Sequence, residues 1–183
     1  MTRAPRCLAP IAIVAVLASC ELEPVRPPFG ALVAGPLLGN APVEKVTGGG
    51  RVEVSGIWPG VADAQVSFTV STREDGVTSG NLVAHFSAPD ETVHMDVTCL
   101  AVSGTEAWMG GSVTFSHPDD TFLGQVFILR VQDNGSGETS QPDRISHFRA
   151  GGALGPDRCL NQPTGSPEFD LRFPLLSGNL TIH

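Results

Sequence analysis

Apolar and polar residues alternate along most of the chain from about Val46 onward. Alternation with period 2 is typical of strands that bury one face, and Gly, Asp, Asn and Ser interrupt it at intervals of about 10 residues. No segment sustains the longer period of an amphipathic helix. The pattern predicts an all-β fold, a single antiparallel meander-type sandwich or flattened barrel of about eight strands.

Three successive hairpins are predicted to share one inner face. In the first, a three-residue loop at residues 74–76 places Gly76 in the left-handed position that such loops favour. The second turns at Pro89-Asp90 and the third near residues 103–105. A one-residue slip would turn every side chain to the other face, so the facing residues test each register. The predicted inner pairs are Phe68–Leu82 and Val66–Ala84 in the first hairpin, Phe86–Val93, Ala84–Met95 and Leu82–Val97 in the second, and Ala101–Ala107, Cys99–Met109, Val97–Gly111 and Met95–Val113 in the third.

The outer face of the second hairpin carries the predicted pairs His85–His94, Val83–Asp96 and Asn81–Thr98. Cross-strand partners have Cβ atoms about 5 Å apart, and imidazole together with carboxylate can bind zinc. His85, His94 and Asp96 are therefore candidate metal ligands. The alternative is that they are solvated polar side chains on a flat face, and we expect no cofactor.

The remaining segments continue the β pattern with irregular stretches between them. Gly48-Gly49-Gly50 precedes a strand rather than a helix, so it predicts a kink or bulge at the start of a strand and not a phosphate cradle. A closing C-terminal strand would cover an otherwise open sheet edge. The predicted segments are a strand at Leu123–Gln132, a loop at Asp133–Asp143, a strand at Arg144–Arg149, an irregular stretch at 151–168, and closing strand material at Phe169–Leu176 and Asn179–His183.

The loop that follows the long apolar strand is rich in oxygen ligands. Asp133, Asn134, Glu138 and Asp143 offer the carboxylate and carbonyl oxygens that calcium prefers. Their spacing does not match an EF-hand loop. The alternative interpretation is a turn that uses Asn, Asp and Gly for its backbone geometry.

The N-terminus has the pattern of a bacterial lipoprotein signal. A basic start with Arg3 and Arg6 precedes a short apolar run that ends in Leu17-Ala18-Ser19-Cys20. Small residues before a cut are typical of secretory signals, and in a lipoprotein precursor the cysteine after the cut is acylated. The run is too short to span a membrane, which takes about 20 residues. The alternatives are an ordinary signal peptide with Cys20 incidental, or an uncleaved anchor.

This pattern predicts three parts of the chain. Residues 1–19 are the signal peptide, 20–45 are a tether rich in Pro and Gly, and 46–183 are the all-β domain. Glu21 follows the cysteine rather than Asp, which resembles the outer-membrane sorting signal of enteric-type lipoproteins. We therefore expect an exported protein that is anchored to the cell envelope by its acyl chains, at the outer membrane in a Gram-negative organism.

Charge excludes one class of partner. The whole chain has a formal net charge of −8 and a single lysine, Lys45, and removal of residues 1–19 leaves 9 basic against 19 acidic residues, a net charge of −10. Nucleic-acid binding needs a basic footprint, so we expect no nucleic-acid partner. Anionic lipid would also repel this chain, which leaves membrane attachment to the acyl chains.

Four cysteines sort by position. Cys7 leaves with the signal and Cys20 is the predicted lipid site, so Cys99 and Cys159 remain. Disulfides persist in exported proteins, which favours pairing of these two. The alternative is that Cys99 is a small buried apolar residue with a free thiol.

No motif assigns a reaction. The chain lacks a nucleotide-binding glycine fingerprint, a His-Glu-x-x-His motif and a Gly-x-Ser-x-Gly motif. Trp58 and Trp108 are candidates for ligand stacking, although packing at a barrel rim is the commoner role. Trp108 lies at an outer position beside a turn, where exposure is expected.

Several short motifs resemble an uncharacterised all-β domain that recurs in exported and lipid-anchored bacterial proteins. The resemblance spans roughly residues 46–183, and its loop reads Asp-Asn-Gly-Ser-Gly-Glu where members typically read Asp-Asn-Gly-Glu-Pro-Gly. It implies an all-β fold and export and no catalytic residue. The segments that carry it are Gly48-Gly49-Gly50, Val97–Gly104, Val131–Gly135, Asp143–Ser146 and Phe173–Leu180.

These observations favour a non-enzymatic binding or structural module on a tether, with an envelope protein or glycan as partner. A small-ligand carrier is the alternative if the sheet encloses a cavity, because eight strands leave room for side chains or one small ligand. An envelope hydrolase is the third possibility. Large predicted inner residues such as Phe68, Phe86 and Met95 favour a filled core over a cavity.

Overall fold

The structure is a computed structural model that describes residues 42–54, 62–88, 90–136, 140–150, 155–165, 169–171 and 173–183. These residues form nine strands and one short 3-10 helix. The strands are β1 (Pro42–Glu53), β2 (Asp63–Arg73), β3 (Thr78–Phe86), β4 (Glu91–Ser103), β5 (Glu106–His117), β6 (Val126–Gln132), β7 (Arg144–Ile145), β8 (Arg149–Ala150) and β9 (Phe173–Ile182), and the helix is Pro156–Asn161.

All nine strands belong to one antiparallel sheet that closes on itself. Its order is β5-β4-β3-β2-β1-β9-β7-β6-β8, and β6 also pairs with β5. Eight strands therefore form a ring, with β1 to β6 as a continuous meander. The short β8 pairs with β6 beside β7. The predicted all-β fold of about eight strands is confirmed.

Apolar side chains fill the inside of the ring. An eight-stranded barrel has an interior just wide enough for side chains, and here large residues from every long strand occupy it. The predicted inner residues are buried: Phe68, Leu82, Phe86, Met95, Val97 and Met109. The interior of the ring of strands is therefore a packed hydrophobic core.

The sheet begins earlier than the sequence pattern predicts. Residues 42–45, predicted as the end of the tether, belong to β1, and the Lys45 and His183 backbones exchange hydrogen bonds of 3.1 and 2.8 Å. Proline is tolerated as the first residue of a strand, so Pro42 does not prevent this pairing.

The glycine triplet lies within β1 and not at its start, contrary to the prediction. Gly50 pairs with Gly178 of β9, and a Cβ atom at Gly50 would overlap the carbonyl oxygen of Ser177. Gly178 has a φ of +103°, and a Cβ there would overlap the Gly49 carbonyl oxygen. Glycine on both strands therefore permits the close approach of β1 and β9.

The first predicted hairpin register is confirmed and the second is wrong by two residues. Phe68 pairs with Leu82, and Gly76 has a φ of +78°. In the second hairpin Phe86 pairs with Glu91, so the loop is residues 87–90 rather than Pro89-Asp90 alone. Because the slip is even, the inner face keeps its apolar residues while every cross-strand partner changes.

Two bulges change the third hairpin. The pairing of β4 with β5 shifts between Val97 and Cys99 and again between His94 and Met95. A bulge places two residues of one strand opposite one residue of the other, so the face of the following side chains reverses. Cys99 therefore pairs with Gly110 and lies on the outer face, and the predicted inner pair Cys99–Met109 is wrong.

A second, smaller apolar cluster lies on this outer face, and we call it the outer cluster. The 3-10 helix covers it, and a disulfide joins Cys99 to Cys159 of that helix with a Cα–Cα distance of 6.2 Å. Gly110 lies beneath the helix, where an added Cβ would come within 2.6 Å of the Pro156 carbonyl oxygen. The outer cluster consists of Cys99, Trp108, Ile128, Cys159 and Phe169.

The C-terminal third also differs in detail from the prediction. The apolar strand begins at Val126 rather than Leu123, and Arg144–Arg149 divides into β7 and β8. The irregular stretch at 151–168 contains the 3-10 helix. The two predicted closing segments are one strand, β9, whose register against β1 shifts between Arg51 and Val52.

Replacing Gly178 should destabilise the closed sheet. We expect Gly178→Ala to lower the free energy of unfolding by about 3 kcal/mol, because the new Cβ adds backbone strain and overlaps β1. Urea unfolding followed by circular dichroism measures this. Gly165→Ala is the control, since no described atom lies within 4 Å of its Cβ position. Equal stabilities of the two variants would contradict the prediction.

The disulfide should contribute to stability through the loop that it closes. The cysteines are 60 residues apart, and the chain-entropy relation gives about 4 kcal/mol for such a loop. We expect the double variant Cys99→Ala/Cys159→Ala to unfold at correspondingly lower urea concentration. In the unreduced mature chain neither thiol should react with an alkylating agent, as mass spectrometry would show. Two alkylated thiols before reduction would contradict the pairing.

Candidate functional site

Three histidines lie on the outer face of β3, β4 and β5 near the end that carries the 87–90 loop. His85 is opposite Thr92, and its Nδ1 atom lies 3.1 Å from the Thr92 hydroxyl oxygen. Its Nε2 atom lies 3.5 Å from an Asp90 carboxylate oxygen. His85 is thus positioned by β4 and by the loop, and not by His94.

His94 contacts an aromatic residue instead. Its ring centroid is 4.9 Å from that of Phe115, its cross-strand partner on β5. His117 lies two residues further along β5, and its ring is parallel to that of Phe115 at a centroid distance of 6.2 Å. Phe115 is 44 % exposed although it is large and apolar. We call His94, Phe115 and His117 the ring platform.

A bulge in β5 creates the ring platform. Val113 faces inward opposite Met95, and the register shift leaves both Thr114 and Phe115 exposed on the outer face. Ser116 then points inward, where its hydroxyl donates to the buried Glu91 carboxylate at 2.9 Å. Period-2 alternation would instead place Phe115 inside with Val113, so the sequence gives no signal for this platform.

The strand positions around the ring platform are mostly polar and include no Lys or Arg. The exposed and half-buried positions of β3, β4 and β5 around it carry one formal charge, that of Asp96. Asn81 lies opposite Asp96, and Val83 lies opposite His94. These positions are Asn81, Val83, His85, Thr92, His94, Asp96, Ser112, Thr114, Phe115 and His117, and we call them the platform face.

The predicted metal site does not form as the sequence suggested. In the observed register His85 and His94 are not cross-strand partners. His85 pairs with Thr92, and His94 pairs with Val83. Among the described residues, no group of three or more His, Cys, Asp and Glu side chains could hold a metal ion. His85, His94 and Asp96 lie on one face of the sheet, but they do not form a cluster that could hold a metal ion.

Two of the predicted calcium ligands, Asp133 and Asp143, accept hydrogen bonds from backbone N–H groups. The Asp143 carboxylate, 5 % exposed, accepts the N–H groups of Asn134 at 2.8 Å and Leu180 at 2.6 Å. The Asp133 carboxylate accepts those of Gly135 at 2.7 Å and Ile182 at 3.1 Å. Glu138 lies outside the described residues.

Asn134 completes this arrangement and does not direct its amide to a cation. Its Nδ2 atom donates to the Pro142 carbonyl oxygen at 2.7 Å. The loop flanks a polar surface cleft whose lining includes Ser136, Gln141 and Asn179. The described part of the loop therefore matches the alternative interpretation, a turn stabilised by its own Asn and Asp side chains.

Trp108 is buried, contrary to the expected exposure. It is 2 % exposed in the outer cluster, and its Nε1–H donates to the Pro163 carbonyl oxygen at 3.1 Å. The Arg130 guanidinium lies 5.2 Å from its ring centroid and forms a 2.7 Å ion pair with Glu106. Packing rather than ligand stacking is its role. Trp58 lies outside the described residues.

The predictions for the N-terminal segment concern residues that the structure does not describe. Cys20 and the segment before it lie outside the described ranges. Within those ranges, no helix has the length and hydropathy needed to cross a bilayer.

No known protein family, no curated protein and no solved structure shows significant similarity to this chain. The resemblance to exported all-β domains therefore stays a prediction, and function has to be inferred from the residues themselves.

Removing the Asp143 carboxylate should loosen the junction between β9 and the 133–143 loop. Asp143→Ala leaves the Leu180 and Asn134 N–H groups without their acceptor, and we expect a loss of about 3 kcal/mol in unfolding free energy. Asp143→Asn should lose less, because one amide oxygen can still accept. Urea unfolding provides the measurement. The control is Asp119→Ala at an exposed turn, which should leave stability unchanged, and a wild-type value for Asp143→Ala would contradict the role.

Proposed function

We propose that this chain is a lipid-anchored cell-envelope protein whose all-β domain is a non-enzymatic binding or structural module. One observation carries the proposal: the basic start, short apolar run and Leu17-Ala18-Ser19-Cys20 sequence that together match a lipoprotein signal. Acylated Cys20 would attach the mature chain to the membrane, and Glu21 favours the outer membrane.

The cysteine pair supports export. Disulfides persist in oxidising compartments and are rare in the cytosol. Cys99 and Cys159 lie at disulfide distance in the described structure and join the 3-10 helix to the sheet. The Cys99–Cys159 link holds the 3-10 helix over the outer cluster. Such a link suits an oxidising compartment such as the cell envelope.

The filled interior supports a module rather than a small-ligand carrier. Carriers of barrel type hold their ligand inside the ring. Here the side chains of Phe68, Met95, Met109 and Leu129 are buried together in the core cluster. Ligand binding would therefore use the outside of the barrel. The described interior is lined by apolar side chains, which does not support the third possibility, a hydrolase, because catalytic groups are polar.

Replacing Cys20 tests the anchor directly. We expect Cys20→Ser to abolish incorporation of radiolabelled palmitate and to block cleavage of the precursor. Globomycin should cause the same accumulation of precursor in the wild type. Cys7→Ser is a matched control, because Cys7 lies in the segment that is removed, and labelling should persist. Acylation of the Cys20→Ser variant, or unlabelled wild-type protein, would refute the proposal.

A further inference from the structure

We propose that the platform face binds an uncharged glycan chain, with the Phe115 ring as its stacking surface. The inference rests on the proposed function, since it names the ligand class for a binding module in the cell envelope. It is carried by three observations: the exposed ring platform, the polar side chains around it and the absence of Lys and Arg from the face.

The ring platform offers an exposed aromatic ring, that of Phe115, to a ligand. Phe115 lies on the outer face of a regular sheet, and His94 and His117 contact it from two sides. Aromatic faces carry a negative quadrupole and attract the polarised C–H groups on the flat side of a pyranose. The flanking imidazoles hold the phenyl ring in place and offer nitrogen atoms to sugar hydroxyls.

Polar groups near the ring platform are available for hydrogen bonds to a ligand. The side chains of Asn81, Asp96 and Thr114 are exposed and that of Ser112 is half-buried, so a ligand can reach them. Asn81 and Asp96 lie two residues along β3 and β4 from Val83 and His94, a distance of about 6.6 Å at the rise of a β-strand. Sugar hydroxyls both donate and accept, so an amide, a carboxylate and two hydroxyls are suitable partners.

Charge selects among ligand classes. The platform face carries no Lys or Arg, so it offers nothing to phosphate groups of lipids or nucleic acids. A basic protein would find two separate carboxylates, Asp96 on the face and Asp90 beside His85. A stable protein interface buries about 800 Å² per partner around an apolar centre, and here Phe115 and Val83 are the apolar residues of a polar surface. A neutral polyhydroxylated chain fits this composition better than a second copy of the protein.

Binding can be measured with the detergent-solubilised full chain and two uncharged probes, the hexasaccharide of N-acetylglucosamine and cellohexaose. We expect at least one of them to bind in isothermal titration calorimetry. Phe115→Ala should weaken that binding at least tenfold, which corresponds to about 1.4 kcal/mol. Asp96→Ala should also weaken it, because sugar hydroxyls lose an acceptor.

Val77→Ala is the matched control, since Val77 is 47 % exposed in the turn at the opposite end of β3. It should bind like the wild type, and unchanged circular dichroism of each variant shows that the fold is intact. If Phe115→Ala unfolds, Asp96→Ala decides. The proposal is overturned if the wild type binds neither probe or if both platform variants bind like the wild type. A dimer that disappears in Phe115→Ala without any glycan binding also overturns it, in favour of a second copy as occupant. Because the assay needs no membrane, its failure leaves the anchoring proposal untouched.

Discussion

The closed sheet depends on how β9 is held between β1 and β7. On one side β1 meets β9 along most of its length, with glycines where the backbones come closest. On the other side β7 contributes only two residue pairs. Asp143 and Asp133 replace the missing strand there, because their carboxylates accept the Leu180 and Ile182 N–H groups. A buried N–H without an acceptor costs about 1–3 kcal/mol. These two carboxylates therefore stabilise the side of β9 that faces β7.

The bulges have a comparable effect on the outside of the barrel. The shift after Val97 turns Cys99 outward, where the disulfide and the 3-10 helix cover it. The shift near Val113 turns Phe115 outward, where the His94 and His117 rings lie beside it. One strand pair thus carries both a covered apolar cluster and an open aromatic surface. Without the bulges the residues concerned would compete for space in a core that is already full.

The sequence predicted the fold class, one hairpin register and most of the inner residues correctly, for physical reasons. Alternation reports which face of a strand is buried, and Gly76 marks a turn that only one register satisfies. An even slip keeps the faces, so alternation could not reveal that the second hairpin turns over residues 87–90. The proposed metal ligands depended on that register, and in the observed register His85 and His94 are not cross-strand partners. Bulges lack a pattern of their own, which is why Cys99 was assigned to the wrong face. Asp143 looked like a cation ligand because its partner, the Leu180 N–H, is 37 residues away in the sequence.

The alternation of hairpin turns gives the barrel two distinct ends. Pro42 begins β1 at the end that also carries the Val77 turn and the Ser103–Glu106 turn. His85, Thr92 and His117 lie toward the other end, next to the 87–90 loop. Pro42, where the described sheet begins, and the ring platform therefore lie toward opposite ends of the barrel, and a domain held through Pro42 would present the ring platform at the end away from that residue.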